Sequence, residues 1–155
     1  MPKAIIAFLI TLFLVACSSA SGTDTPAETM DFVVTVQEGM PAGGTFTEKQ
    51  VKVISNQDSL NQQSEIYGVD YFTVDFSTSK VLIVDMGQRN TGGFSVDVTS
   101  IEIHPESARA NVVLTVPGAD CIVTDALTNP FMFVEVSTRQ EILVSESLEI
   151  TDCSS

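Results

Sequence analysis

Apolar and polar residues alternate along most of the chain beyond about residue 30, and this alternation predicts β-strands. Glycine, proline, asparagine and serine, which are typical of turns, separate the alternating segments. The pattern favours a mainly β fold in antiparallel arrangement, forming a single domain over residues 31–155. The eight predicted strands cover residues 31–36, 49–54, 71–76, 81–87, 94–103, 108–116, 131–136 and 142–150.

Three of these strands allow more detailed predictions. In residues 94–103 the apolar positions change phase, which predicts a β-bulge or bend near Thr99–Ser100. Residues 108–116 alternate without interruption, and we expect them to pair with the preceding strand across a turn at residues 104–107. Residues 131–134 are apolar on both faces, which is typical of a central strand.

One segment has a different period. Between residues 55 and 68 the apolar residues fall at helical spacing. Ser55 or Asn56 can cap the first turn by accepting a hydrogen bond from a main-chain amide. Gly68 can end the helix, because glycine readily adopts the left-handed conformation found there. The sequence therefore predicts one short helix in an otherwise β-rich domain.

Composition limits the possible functions. The chain has 155 residues, with 20 acidic against 7 basic side chains and a formal net charge of −13. This length fits one ordinary domain, and the 44% apolar content is enough to form a core. Because nucleic-acid binding depends on Lys and Arg neutralising phosphates, the acidic excess argues against a nucleic-acid partner.

The first sixteen residues have the features of a secretion signal. Lys3 precedes an uncharged run over residues 4–16, whose 13 residues are fewer than the roughly 20 that a membrane-spanning helix needs. The run ends in Leu-Val-Ala-Cys17, which resembles the lipobox of bacterial lipoproteins. That resemblance implies that Cys17 is lipidated. The alternative is an ordinary thiol in a secreted protein. The residues after Cys17 are small, polar and aperiodic, which predicts a flexible tether over residues 17–30.

The same resemblance implies a location in the bacterial cell envelope, anchored by lipid. Ser18 stands where a signal for retention in the inner membrane usually has Asp, so outer-membrane residence facing the periplasm or the surface is expected. In this oxidising compartment Cys121 and Cys153 are expected to form a disulfide. The alternative is that Cys153, close to the end of the chain, stays free.

Known catalytic and metal-binding patterns are nearly absent from the sequence. His104 is the single histidine and precedes a proline, so an ordinary turn residue is expected there; a zinc site with Cys121 and Cys153 is the alternative. No nucleophile motif, P-loop or calcium loop is present. We therefore expect no enzymatic activity, no cofactor and no resident metal. Acidic residues that recur on the predicted strands are interpreted as solvated: Asp70, Asp75, Asp85, Asp97 and Glu102.

The most distinctive stretch is residues 81–96, with the sequence VLIVDMGQRNTGGFSV. It resembles the signature of the PrcB-type protease-complex subunit family, in which an apolar strand leads to Gly-x-Arg-x-Thr-Gly-Gly-Tyr/Phe-Ser. The resemblance extends over about residues 50–150, and Asn90 stands where the family commonly has proline. It implies an accessory or stabilising role in a protein complex, with a protease as the expected partner and no catalytic residues to transfer.

Two interpretations of this motif remain open. Asn90, Gly92 and Gly93 tolerate positive φ, so the motif can be a hairpin or bulged turn that directs Phe94 into the core. Alternatively, Arg89 and Thr91 are displayed at the hairpin tip for a partner, and the glycines allow close backbone approach. The residues predicted to bind a partner are Arg89, Thr91, Gly92, Gly93 and Phe94.

The leading hypothesis is therefore a lipid-anchored, non-catalytic envelope protein that binds or stabilises other proteins. One alternative is a small-ligand or glycan-binding module that uses exposed aromatic residues such as Tyr67, Tyr71 or Phe131. Another is a hydrolase that depends on paired carboxylates.

Overall fold

The computed structural model describes residues 28–44 and 46–154. This part of the chain folds into strands with a single helix, which confirms the predicted mainly β class. The predicted signal, most of the tether and the lipidation site at Cys17 lie outside the described residues. The elements are β1 Thr29–Met30, β2 Phe32–Glu38, β3 Gln50–Ile54, α1 Gln57–Tyr67, β4 Lys80–Asp85, β5 Ser95–Ile103, β6 Ser107–Pro117, β7 Phe131–Val136 and β8 Glu141–Thr151.

The strands form two four-stranded sheets. The first sheet has the order β1-β5-β6-β8 and the second has the order β2-β7-β4-β3. Five of the six strand pairings are antiparallel, and β6 with β8 is parallel. The parallel pair arises because the chain leaves β6, crosses to the second sheet to form β7, and returns to the first sheet after a second reversal.

The second sheet has both faces covered. Its inner face packs against the first sheet in a core between the sheets, to which Leu82, Val84, Val96 and Ile101 contribute. Its outer face packs against α1 and the segment that follows, forming a second core with Leu60. Burial of one such aliphatic side chain contributes about 1.5–3 kcal/mol to folding. Two-sided burial explains the four consecutive apolar residues at 81–84 in β4 and at 131–134 in β7.

Three detailed predictions are confirmed. The register between β5 and β6 shifts between Val98 and Ser100, and this bulge places Ile101 in the same core as Val98. The two strands meet at a turn in which the His104 amide donates to the Ser107 carbonyl at 2.9 Å. As predicted, β7 is a central strand, with β2 and β4 on its two sides.

The helix also lies where the sequence predicted it. The Asn56 side chain accepts a hydrogen bond from the Ser59 amide at 2.8 Å, and Gly68 ends the helix with φ of 68°. Of the two residues considered for the N-cap, the structure selects Asn56.

The predicted strand at residues 71–76 is wrong. These residues form an irregular segment in which Val74 is buried in the second core. The Gln57 side chain donates to the Phe72 carbonyl and accepts from the Val74 amide, so a helix side chain replaces a neighbouring strand. The eighth strand is instead β1, which pairs with β5. Its two residues, Thr29 and Met30, were predicted to lie in the tether but belong to the folded domain.

Candidate partner-binding loops

Residues 86–94, which carry the distinctive motif, connect one sheet to the other. We name them the motif loop. The strand before the loop, β4, lies in the second sheet, whereas the strand after it, β5, lies in the first. The predicted hairpin is therefore wrong, because β4 and β5 do not pair. The loop is a crossover at one end of the sandwich.

The motif loop is bound along its length to residues 118–130, which we name the disulfide loop. Arg89 and Thr128 exchange two main-chain hydrogen bonds, at 2.7 and 2.9 Å. The Gly92 amide donates to the Thr124 carbonyl at 3.0 Å, and the Thr128 hydroxyl donates to the Thr91 carbonyl at 2.7 Å. These contacts make the two loops one structural unit.

The two adjacent glycines are required by this close approach. Gly93 has φ of 87°, a conformation that costs other residues about 1–2 kcal/mol. A Cβ atom on Gly93 would lie 3.0 Å from Val123 Cγ1, and one on Gly92 would lie 2.3 Å from Thr124 Oγ1. The expected close approach at these glycines is therefore to the chain's own disulfide loop.

Arg89 and Phe94 are also occupied within the chain. The Arg89 guanidinium donates to the Met86 carbonyl, and its Cζ lies 5.7 Å from the centre of the Phe94 ring. Phe94 is partly buried and packs against the core between the sheets. Among residues 28–44 and 46–154, no carboxylate forms an ion pair with Arg89. The Arg89 side chain therefore connects Met86 and Phe94, the two ends of the motif loop.

A disulfide between Cys121 and Cys153 closes the other side of the loop unit, as predicted. It joins the disulfide loop to the chain just after β8, and the two Cα atoms lie 5.0 Å apart. The Cys153 amide also donates to Asp120 at 3.1 Å. The disulfide loop is thus held by the motif loop on one side and by the end of β8 on the other.

Comparison with known proteins identifies the segment that contains both loops. Residues 80–137 match the family model described as PrcB C-terminal. The expected resemblance to the PrcB-type family is confirmed over these residues. No curated protein and no solved structure matches the chain. The match runs from β4 through β7 and lies inside the 50–150 range over which the resemblance was expected.

The matched segment, residues 80–137, exposes two large aliphatic side chains that the sequence analysis did not single out. Ile122 is 103% exposed and Leu127 is 54% exposed, both on the disulfide loop. Their neighbours Asp120 and Asp125 are exposed and acidic. The available sequence signal was an isoleucine directly after a cysteine, between acidic residues and away from any predicted strand. That pattern fits poorly with a core role.

A cluster of buried polar groups connects the matched segment to the helix. The Asp85 carboxylate, at the end of β4, is fully buried and accepts hydrogen bonds from the Tyr67 hydroxyl, the Asn129 amide and the Gly87 main chain. The Asn129 side chain also accepts from the Phe46 amide at 2.9 Å. Burial, and then the nearby Asp85, raise the pKa of Tyr67. The interpretation of Asp85 as a solvated strand residue is wrong.

Two of the three aromatic residues proposed for ligand binding are inaccessible. Tyr67 and Phe131 are fully buried and stack with ring centres 4.7 Å apart. Tyr71 is 68% exposed, beside a cavity of about 420 Å³ that is also lined by Glu38 and Asp70. Only Tyr71 among the three can therefore contact a ligand.

Groups with catalytic or metal-binding chemistry are dispersed in the described residues. No cluster of three or more His, Cys, Asp or Glu side chains there could hold a metal. His104 lies in the β5–β6 turn, with Nε2 3.5 Å from Glu102, and Cys121 and Cys153 are bonded to each other. Hydrogen bonds from Ser77 lower the pKa of Asp75, which caps a turn. No helix in this part of the chain is long and apolar enough to span a membrane.

Proposed function

We propose that this chain is a non-catalytic subunit that binds another protein, a protease or its complex, through the exposed surface of the disulfide loop. The observation that carries this proposal is the exposure of Ile122 and Leu127 on a loop that is fixed on both sides. The match of this segment to the PrcB C-terminal family supports the choice of a protease complex as partner.

Physical reasoning favours a protein partner for these side chains. Burying one aliphatic side chain of this size contributes about 1.5–3 kcal/mol, so two of them supply a useful part of a binding free energy. The disulfide and the motif loop already order the main chain, which reduces the entropy lost on binding. Asp120 and Asp125 provide an acidic rim, which favours a partner surface with Lys or Arg around an apolar pocket.

The motif residues have an indirect role in this proposal. Arg89, Thr91, Gly92 and Gly93 hold the disulfide loop in position, and Phe94 anchors the motif loop to the core. Replacing them changes partner binding by displacing Ile122. In this proposal, the motif residues predicted to bind a partner act instead by positioning the disulfide loop.

The proposal includes a lipid anchor at Cys17. Attachment through buried acyl chains, each methylene contributing about 0.8 kcal/mol, would hold the folded domain at an envelope membrane. The tether between Cys17 and β1 would leave the disulfide loop free to meet a membrane-associated or surface protease.

Crosslinking on intact cells that naturally produce the chain tests the proposal. Detergent-solubilised membranes are used to capture the chain, and mass spectrometry identifies attached proteins, with Cys17→Ser as the control. Attachment to a protease or to a subunit of its complex, enriched in the anchored form, is expected. Recovery of the chain alone, in both forms, would contradict the proposal.

A second candidate is binding of a small ligand beside Tyr71. The exposed ring and the 420 Å³ cavity next to it favour this possibility, because small-molecule sites are concave and combine an aromatic face with a few polar groups. A melting-temperature increase with sugars or small polar molecules, abolished in Tyr71→Ala, would support it. An unchanged melting temperature across the panel would count against it.

A further inference from the structure

Two unpaired strand edges lie on one side of the sandwich. β8 is the last strand of the first sheet and β3 is the last strand of the second, and no described strand pairs with the outer side of either. The Lys49 side chain, directly before β3, forms an ion pair with Glu146 of β8. This contact places the two free edges next to each other.

Apolar side chains that face inward on these strands are exposed. In the parallel pairing, Leu148 and Ile150 lie beside Leu114 and Val116 of β6, which pack against the core between the sheets. Yet Leu148 is 63% exposed and Ile150 is 69% exposed.

Apolar side chains on the inward face of β3, the edge strand of the second sheet, are also exposed. Val51 and Val53 pair with Val84 and Leu82, both buried in the core between the sheets, but are 39% and 40% exposed. We name the four side chains Val51, Val53, Leu148 and Ile150 the open edge.

The main chain of β8 is available for pairing. Its 11 residues stay in one register with β6, without the proline or bulge that blocks pairing at many edge strands. The Thr151 carbonyl accepts from Gly118 on the β6 side. Because main-chain groups of alternate residues point to opposite edges, those of Glu146, Leu148 and Ile150 face the free edge.

Charge indicates what kind of strand fits. β8 contains Glu141, Glu146 and Glu149 and no Lys or Arg, and the whole chain has a net charge of −13. Pairing of two β8 strands from two copies would bring these carboxylates together, which is unfavourable. A basic strand would instead gain ion pairs with Glu141 and Glu149, whose side chains lie on the outward face.

We propose that the outer edge of β8 binds an extended segment of another protein as a fifth strand of the first sheet. The segment alternates apolar residues, which cover the open edge, with Lys or Arg on the outward face. Main-chain hydrogen bonds supply affinity and the alternation supplies specificity, as in other cases of strand addition. This inference uses residues other than those of the disulfide loop and needs no protease for its test.

The probe is a blocked ten-residue peptide in which Ile or Val alternates with Lys, labelled for fluorescence anisotropy. A peptide of the same composition without alternation is the control for charge. We expect the alternating peptide to bind the purified, disulfide-bonded chain at least about tenfold more tightly. Amide hydrogen exchange should slow at Glu146, Leu148 and Ile150. Equal binding of the two peptides, no binding, or protection elsewhere would overturn the proposal.

A matched pair of variants locates the site. Leu148→Gln places a neutral polar group on the inward face of β8, whereas Leu143→Gln makes the same change on the outward face of the same strand. We expect at least about tenfold weaker peptide binding in Leu148→Gln and less than about twofold change in Leu143→Gln. Equal loss in both would contradict the proposal, as would β8-to-β8 crosslinks showing that a second copy occupies the edge. The exchange measurement on the unmodified chain decides the matter if Leu148→Gln does not fold.

Discussion

The hydroxyl of Tyr67, at the end of α1, donates a hydrogen bond to the carboxylate of Asp85, at the end of β4, at 2.7 Å. Both residues are fully buried. The bond links the helix to the strand that leads into the motif loop. Since Asn129, at the end of the disulfide loop, donates to the same carboxylate, the polar cluster couples the fold to the proposed binding loops.

Loss of the Tyr67 hydroxyl should destabilise the protein. Tyr67→Phe keeps the ring but leaves the buried Asp85 carboxylate with one fewer donor, which costs about 1–3 kcal/mol. Urea unfolding followed by circular dichroism measures the change in the free energy of unfolding. Tyr71→Phe, at a 68% exposed ring, is the control and should change it by less than about 0.5 kcal/mol. Equal effects of the two variants would show that the buried hydrogen bond contributes nothing.

Stability should also fall at alkaline pH because of Tyr67. Burial and Asp85 raise the pKa of this hydroxyl in the folded state, whereas in the unfolded chain tyrosine ionises at about pH 10. Above that pH the folded state binds more protons than the unfolded state, so the free energy of unfolding decreases as pH rises. In Tyr71→Phe, tyrosinate absorbance at 295 nm should appear only together with unfolding. Absorbance that rises while circular dichroism stays native would contradict this prediction.

Gly93 should not tolerate a side chain. Gly93→Ala combines a left-handed φ of 87° with a Cβ contact of 3.0 Å to Val123, and should destabilise by at least about 1–2 kcal/mol. Gly39→Ala is the matched control, because a Cβ atom there meets nothing within 4 Å. Thermal unfolding of both variants provides the comparison. A Gly93→Ala protein as stable as the control would mean that the motif loop can move away from the disulfide loop.

Removal of the disulfide should loosen the disulfide loop. The bond closes a sequence separation of 32 residues, for which the loop-entropy model gives about 3–4 kcal/mol. We expect Cys121→Ser/Cys153→Ser to lose stability in that range and to show faster amide exchange at residues 119–127. Unchanged exchange there would indicate that the hydrogen bonds to the motif loop hold the disulfide loop by themselves.

Arg89→Ala should affect partner binding more than stability. The variant loses the hydrogen bond to the Met86 carbonyl and the contact with Phe94, both at the base of the motif loop. Arg109→Ala, at an exposed position on β6, has the same charge change and is the control. Recovery of crosslinked partner should fall at least about fivefold in Arg89→Ala and stay constant in Arg109→Ala. Normal recovery with Arg89→Ala would remove this residue from the site.

Elements determined by local pattern were predictable from the sequence. Asn56 and Gly68 are residue types that cap helices, and the phase change before Ile101 required a bulge. Residues 71–76 show that alternation does not always indicate a strand. Their apolar residues Phe72, Val74 and Phe76 pack in the second core with the helix, and the segment pairs with no strand.

Features that depend on tertiary arrangement were not predictable. The sequence does not reveal that β4 and β5 lie in different sheets, so the motif loop was expected to be a hairpin tip. It also could not show that Asp85 meets Asn129, which is 44 residues away in the chain. Ile122 is exposed on a loop that is held by the disulfide to Cys153 and by the hydrogen bonds to the motif loop, and both join residues far apart in the sequence.

The central claim, that the disulfide loop contacts a partner through Ile122, is tested most directly by site-specific photocrosslinking in cells. A photoreactive residue replaces Ile122 in one variant and Glu106 in another; Glu106 is exposed in the turn at the opposite end of β6. We predict that position 122 crosslinks to a protease or a subunit of its complex and that position 106 does not. The same crosslinks from both positions, or none from position 122, would contradict the account.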